Sequence, residues 1–153
     1  MAPFAEKDRS GLTELNRRWG ARRPRTEENL ERYFASRYGA DRRLAVYGSL
    51  APGRSNHDQL AGLAGRWVSG LTVRGELFEV GWGVGLGYPG LRWSEAGPPV
   101  AVELFVSDDF PAHWARLDAF EGPGYRRILV PVYDGGEVVE VANLYEAVGG
   151  PAS

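Results

Sequence analysis

Apolar positions along the chain change their period near residue 43. Ahead of that point the spacing is helical: Leu12, Leu15 and Trp19 fall at i, i+3 and i+7, and Leu30, Tyr33, Phe34 and Arg37 form a second series. Pro24 separates the two, Thr26 is an N-cap type with Glu27 and Glu28 behind it, and Gly39 marks the stop. From Leu44 onward the texture becomes short apolar or alternating runs punctuated by glycine and proline, which predicts strands at 44–47, 64–73, 75–80, 100–106, 125–133 and 137–145. One helix interrupts them at 111–120, with Pro111 at an early position and Trp114, Leu117 and Phe120 facing inward. Asp134-Gly135-Gly136 joins two alternating runs as a hairpin turn. Gly75-Glu76-Leu77-Phe78 echoes Val102-Glu103-Leu104-Phe105, which reads as strand pairing and not as a repeat array. The expected fold is α+β: a mixed sheet of about six strands curled into a small barrel with one or two packed helices, plus an N-terminal helical extension. The organisation expected is an extension over 1–43, a barrel domain over 44–148 and a tail over 149–153.

Composition narrows the function classes. At 153 residues the chain suits one domain, and it has no cysteine, which excludes disulfide frameworks and thiolate chemistry and agrees with a reducing compartment. The first twenty residues carry Glu6, Lys7, Asp8 and Arg9 where a signal peptide needs an apolar run, and no stretch approaches the ~20 apolar residues of a membrane span. A soluble, cytoplasmic protein without a membrane partner is expected. Net charge is −2, but residues 1–43 stand at +4 and the remainder at −6. The arginines of that arm alternate with glutamates, as on solvated helix faces, so nucleic-acid binding is the weaker reading.

Two segments carry candidate chemistry. In Val46-Tyr47-Gly48-Ser49-Leu50 an apolar strand runs into a glycine and a hydroxyl residue. Exposed backbone N–H groups at such a strand end can cradle an anion where no side chain blocks the approach, although an ordinary turn has the same signature. It is neither a P-loop nor a nucleophile elbow. In Leu117-Asp118-Ala119-Phe120-Glu121-Gly122-Pro123-Gly124-Tyr125-Arg126-Arg127, Glu121 stands where a helix gives way to a loop. Desolvation there raises a carboxyl toward the range useful for proton transfer, whereas a solvated helix-end glutamate would be inert. Asp118 reads as a brace for the loop. His57 and His113 lack the spacing of metal ligands, and Ser49 lacks a supporting triad, so no metal is expected.

The YGSL loop after the first strand, the GELFEV strand, the YPGL turn and the LDAFEG…YRR segment, in this order between Leu44 and Ala147, resemble the γ-glutamylcyclotransferase-like (AIG2-like) family. The resemblance implies that Tyr47, Gly48, Ser49 and Leu50 bind the α-carboxylate and amine region of a γ-glutamyl group. It implies that Glu121 is the catalytic acid/base and that Tyr88, Pro89, Tyr125 and Arg127 line or brace the substrate site. The implied reaction is cyclisation of a γ-glutamyl amine or amide, a small-molecule partner, to 5-oxoproline with release of the amine, without cofactor. The alternative is a non-catalytic binding or interaction domain that keeps the fold. Two departures stand out: Val102 replaces a usual glycine, and 81–87 is unusually glycine-rich, a loop or a rim over the site.

Overall fold

The computed structural model describes residues 7–13, 28–47, 58–79, 89–122 and 124–147. Helix α1 covers residues 7–13 and α2 covers Glu28–Tyr38, followed by a 3-10 turn at Ala40–Arg42 and strand β1 at Arg43–Val46. Then come α3 (Asp58–Ala61), β2 (Arg66–Glu79), β3 (Pro89–Trp93), β4 (Pro99–Val106), a 3-10 turn at Phe110–Ala112, α4 (Trp114–Glu121), β5 (Tyr125–Asp134) and β6 (Glu137–Ala147). Gly39 ends α2 as expected: its φ of 68° is the left-handed region, and its N–H reaches the Ala35 carbonyl at 2.9 Å. Leu15, Trp19, Pro24, Thr26 and Glu27 of the extension, and the tail after 147, lie outside the described residues.

Strands β2, β4, β1, β6 and β5 close into a barrel through the Thr72↔Tyr133 pairing, and β3 attaches to β2 outside that ring. β1 and β6 are parallel while the other pairs are antiparallel, so the barrel is mixed. Six strands match the expected number, but two corrections offset each other. Residues 64–73 and 75–80 are not two strands; 66–79 is one, with its irregularity between Val68 and Leu71, where Gly70 takes φ 82°. The YPGL segment, expected as a turn, supplies the missing strand from Pro89. Gly75, expected to open a new strand, lies mid-strand where chains crowd: a Cβ there would lie 2.5 Å from the Arg92 carbonyl, and Gly97 packs on its backbone. The echoing segments at 75 and 102 are not register partners either, since Gly75–Phe78 pairs with β3 while Val102 faces Leu71.

Two clusters of buried side chains organise the molecule. The main cluster, which joins Ala45, Val73, Val102, Leu104, Val130, Val132, Ala142 and Leu144 of the barrel to Leu91 of β3, is continuous with Leu12 of α1 and Phe34 of α2. The described parts of the extension therefore share the barrel's own core, and each such side chain contributes about 1.5–3 kcal/mol by leaving water. Asp8 is 2% exposed and accepts hydrogen bonds from the hydroxyls of Tyr33 (2.7 Å) and Tyr38, with Arg37 3.4 Å away. Arg9 donates to the Tyr133 hydroxyl at 3.2 Å, which ties α1 to the finish of β5. Arg42 and Arg43 pair with Asp108 and Glu140. The second cluster lies outside the barrel wall, where Leu44, Val46, Phe105 and Tyr145 are covered by Leu60, Leu63, Phe110, Trp114 and Leu117. Among the described residues no helix is long and apolar enough to cross a membrane.

Candidate active site

Helix α4 is seated by Trp114 and Leu117, whose side chains point into the outer cluster. Phe110 stacks on Trp114 with ring centroids 4.5 Å apart, and the Trp114 indole N–H donates to the Asp41 carbonyl at 2.9 Å. Phe120 was expected to face inward but is 40% exposed; the inward stripe of this short helix is complete with Trp114 and Leu117. The helix stops at Gly122, whose φ of 76° is open to glycine, and whose N–H donates to the Asp118 carbonyl at 3.0 Å. That stop leaves Glu121 on the last turn, partly buried, beside the end of β1.

Burial raises the Glu121 carboxyl to about 7, and the negative charge of Asp118 adds to the rise. Burial also raises the Tyr47 hydroxyl far above its ordinary value, with the charges of Tyr125, Glu121 and Glu146 adding to it. The Tyr47 hydroxyl is committed on both sides: it donates to the Tyr145 carbonyl at 2.5 Å and accepts the Leu91 N–H at 3.1 Å. Tyr47 is thus a strut between β1, β3 and β6. Gly48, Ser49, Leu50 and Tyr88 lie outside the described residues, as does His57, and Pro89 opens β3.

Arg127 braces this end of the fold. Its Nε and Nη2 donate to the two oxygens of Asp118 at 2.8 and 3.2 Å, its Nη1 donates to Asn143 at 2.9 Å, and its guanidinium lies 4.4 Å from the Trp114 ring centroid. Tyr145 donates to Asp118 at 2.7 Å. His113, the other histidine, stands at the N-cap position of α4 and accepts from Arg116 of that helix.

Sequence reasoning missed Tyr145, Asn143, Arg126 and Glu146. Glu146 is 5% exposed; one oxygen accepts Arg126 Nε at 2.8 Å and Nη2 at 2.7 Å, the other the Trp93 N–H at 2.7 Å. The signal lay in the hairpin: counted back from Gly135-Gly136, the register sets Arg126 opposite Tyr145. The irregularity between Val132 and Tyr133 shifts it by one and sets Arg126 opposite Glu146, an oppositely charged cross-strand pair.

A small closed mixed barrel, with an outer helix that ends in a partly buried glutamate, defines the class of fold. The γ-glutamyl cyclotransferase, AIG2-like family matches residues 44–150, and the chain belongs to that family. Among solved structures, it is similar to an AIG2-like protein from Mus musculus, with 21% identity over 71% of this chain and 78% of the other, TM-score 0.50. It is also similar to YkqA from Bacillus subtilis, with 25% identity over 69% of this chain, TM-score 0.52, and to allophanate hydrolase from Kluyveromyces lactis, with 20% identity over 69%, TM-score 0.54. The chain spans only 35% and 17% of those two proteins. No curated protein matches it.

Proposed function

We propose that the chain cyclises a γ-glutamyl amine or amide to 5-oxoproline and releases the amine, with Glu121 as general acid/base. The observation that carries this reading is the placement of Glu121: a partly buried carboxyl on the last turn of α4, raised to about 7, facing the end of β1 within a family of cyclotransferases. A group poised near neutrality can both take and return a proton. The substrate's α-amino nitrogen attacks its own γ-carbonyl carbon, and Glu121 accepts the proton that the nitrogen sheds. Collapse of the tetrahedral carbon breaks the bond to the departing nitrogen, which takes the proton back from Glu121. Atoms balance without water. Because attack is intramolecular, holding the γ-glutamyl chain folded contributes several kcal/mol. The backbone of Tyr47 and the following Gly48, Ser49 and Leu50 are assigned to that task, and Tyr88, Pro89 and Tyr125 are assigned as further substrate-binding residues. Arg127, committed to Asp118 and Asn143, braces the site and takes no part in proton transfer.

The test is mass-spectrometric detection of 5-oxoproline from a panel of γ-glutamyl amines, peptides and amino acids, with Glu121→Gln as the control. Loss of general acid/base work lowers turnover by about 10²–10⁴-fold. Wild-type turnover in the variant sinks the assignment. Retention of γ-glutamyl ligands in calorimetry without turnover in the native chain replaces it with the binding-domain reading.

A further inference from the structure

Asp118 is held by groups that belong to other elements. Its Oδ1 accepts from Arg127 Nε at 2.8 Å and from the Tyr145 hydroxyl at 2.7 Å, and its Oδ2 accepts from Arg127 Nη2 at 3.2 Å. Arg127 is itself immobilised. It lies over the Trp114 ring and donates to Asn143, whose Nδ2 donates to the Ala40 carbonyl at 2.9 Å. The position of Asp118 is therefore set by β5, β6 and the turn before β1, not by α4 alone.

Asp118 also bounds Glu121 on two sides. The two residues stand at i and i+3, which brings their side chains to one face of the helix. The Asp118 carbonyl accepts the Gly122 N–H and so fixes the turn in which Glu121 sits. We propose that Asp118 is the positioning residue of the site: it anchors the last turn of α4 to β5 and β6 and supplies the negative charge that Glu121 faces. This rests on the reading of Glu121 as acid/base.

The other groups around Glu121 fit that division of labour. Tyr47, which follows β1, and Tyr145 of β6 both feel the Glu121 charge, while Tyr125 and Glu146 act on Tyr47, and Arg127 of β5 acts on Tyr145 and binds Asn143. Burial keeps the Tyr47 and Tyr145 hydroxyls protonated at neutral pH, so neither adds charge. Glu146 has its own cation in Arg126. The Asp118 carboxylate is 43% exposed and shared with Arg127, yet its charge still opposes ionisation of Glu121.

The experiment is a 13C carboxyl NMR titration of the full chain, with Glu121→Gln assigning the Glu121 resonance, run beside the pH profile of kcat/KM for 5-oxoproline release. Asp118→Asn is expected to move the Glu121 midpoint down by about half a pH unit or more, and the acid limb of the profile with it. Tyr145→Phe leaves the Asp118 charge in place while removing one of its donors, and is expected to move both upward. A purely structural brace would lower kcat and leave the midpoint where it was, and that result overturns the proposal. Where Asp118→Asn does not fold, Tyr145→Phe decides by the same midpoint. Absence of 5-oxoproline release by the native chain would refute the proposed reaction, while the NMR midpoint would still decide the role of Asp118.

Discussion

The backbone N–H of Leu91 donates to the hydroxyl of Tyr47 at 3.1 Å, and two residues on, the N–H of Trp93 donates to Glu146. Strand β3 pairs with β2, and these two further donors are met by side chains from β1's end and from β6. Backbone donors that find no strand must find some partner when water is excluded. Tyr47 and Glu146 thereby hold β3 across the end of the barrel at which Glu121 sits.

Tyr47→Phe removes one hydroxyl and leaves both the Leu91 N–H and the Tyr145 carbonyl without it. A buried group left unpaired costs about 1–3 kcal/mol, so the urea midpoint is expected to fall with m unchanged. Because β3 loses an anchor beside the site, turnover is expected to fall with it. A variant as stable as the parent would mean that the hydroxyl is not the strut described.

Glu146 separates charge from hydrogen bonding. Glu146→Gln keeps an acceptor for the Trp93 N–H and gives up the ion pair with Arg126, whereas Glu146→Ala removes both. Both variants leave the Arg126 guanidinium without its counter-charge, but the alanine variant also leaves the Trp93 N–H without its acceptor and is expected to be the less stable by about 1–3 kcal/mol in chemical denaturation. Equal losses in the two variants would show that the ion pair, not the backbone contact, carries the stabilisation.

Local rules recovered what local chemistry decides: the stop at Gly39, the hairpin at Gly135 and a helix expected over 111–120, which is found over Trp114–Glu121 with Pro111 in the 3-10 turn ahead of it. They failed where a neighbour distant in sequence decides. Gly75 read as the start of a new strand because its use, close passage of β3 and Gly97, is visible only once the strands are stacked. Glu146 looked like any acidic residue in an alternating strand, because its pairing with Arg126, twenty residues back in the chain, depends on a one-residue shift of register between Val132 and Tyr133. The catalytic assignment of Glu121 came from the ordered motifs and not from its local spacing, which would fit an inert glutamate equally well.

The extension shares the barrel core, which sets an expectation for its removal. Phe34 is fully buried and Leu12 is 1% exposed. Leu12→Ala is expected to cost about 2–5 kcal/mol and Phe34→Ala about 3–5 kcal/mol. A chain lacking residues 1–40 loses both side chains together with Asp8 and its tyrosine partners, and is expected to lose cooperative unfolding. Full-length stability in the truncated chain, measured by urea titration, would show that the arm is an independent appendage.

Glu121 makes a prediction that needs no substrate. Its folded carboxyl keeps a proton up to about 7, while the unfolded chain releases it near the ordinary glutamate value. Between those two values the folded state binds more protons, so this residue's contribution to stability declines as pH rises and is at its least favourable above about pH 7. Glutamine has the same shape and no charge to bury. Glu121→Gln is therefore expected to match the parent at pH 4 and to exceed it at pH 8 by on the order of 1–3 kcal/mol, read as a higher urea midpoint. A residue that destabilises its own fold at the pH where the proposed reaction uses it as a base fits the expected trade of function against stability. Equal midpoints for both proteins across that range would mean that Glu121 is solvated and ionises as an ordinary glutamate, and the proton-transfer role would fall with it.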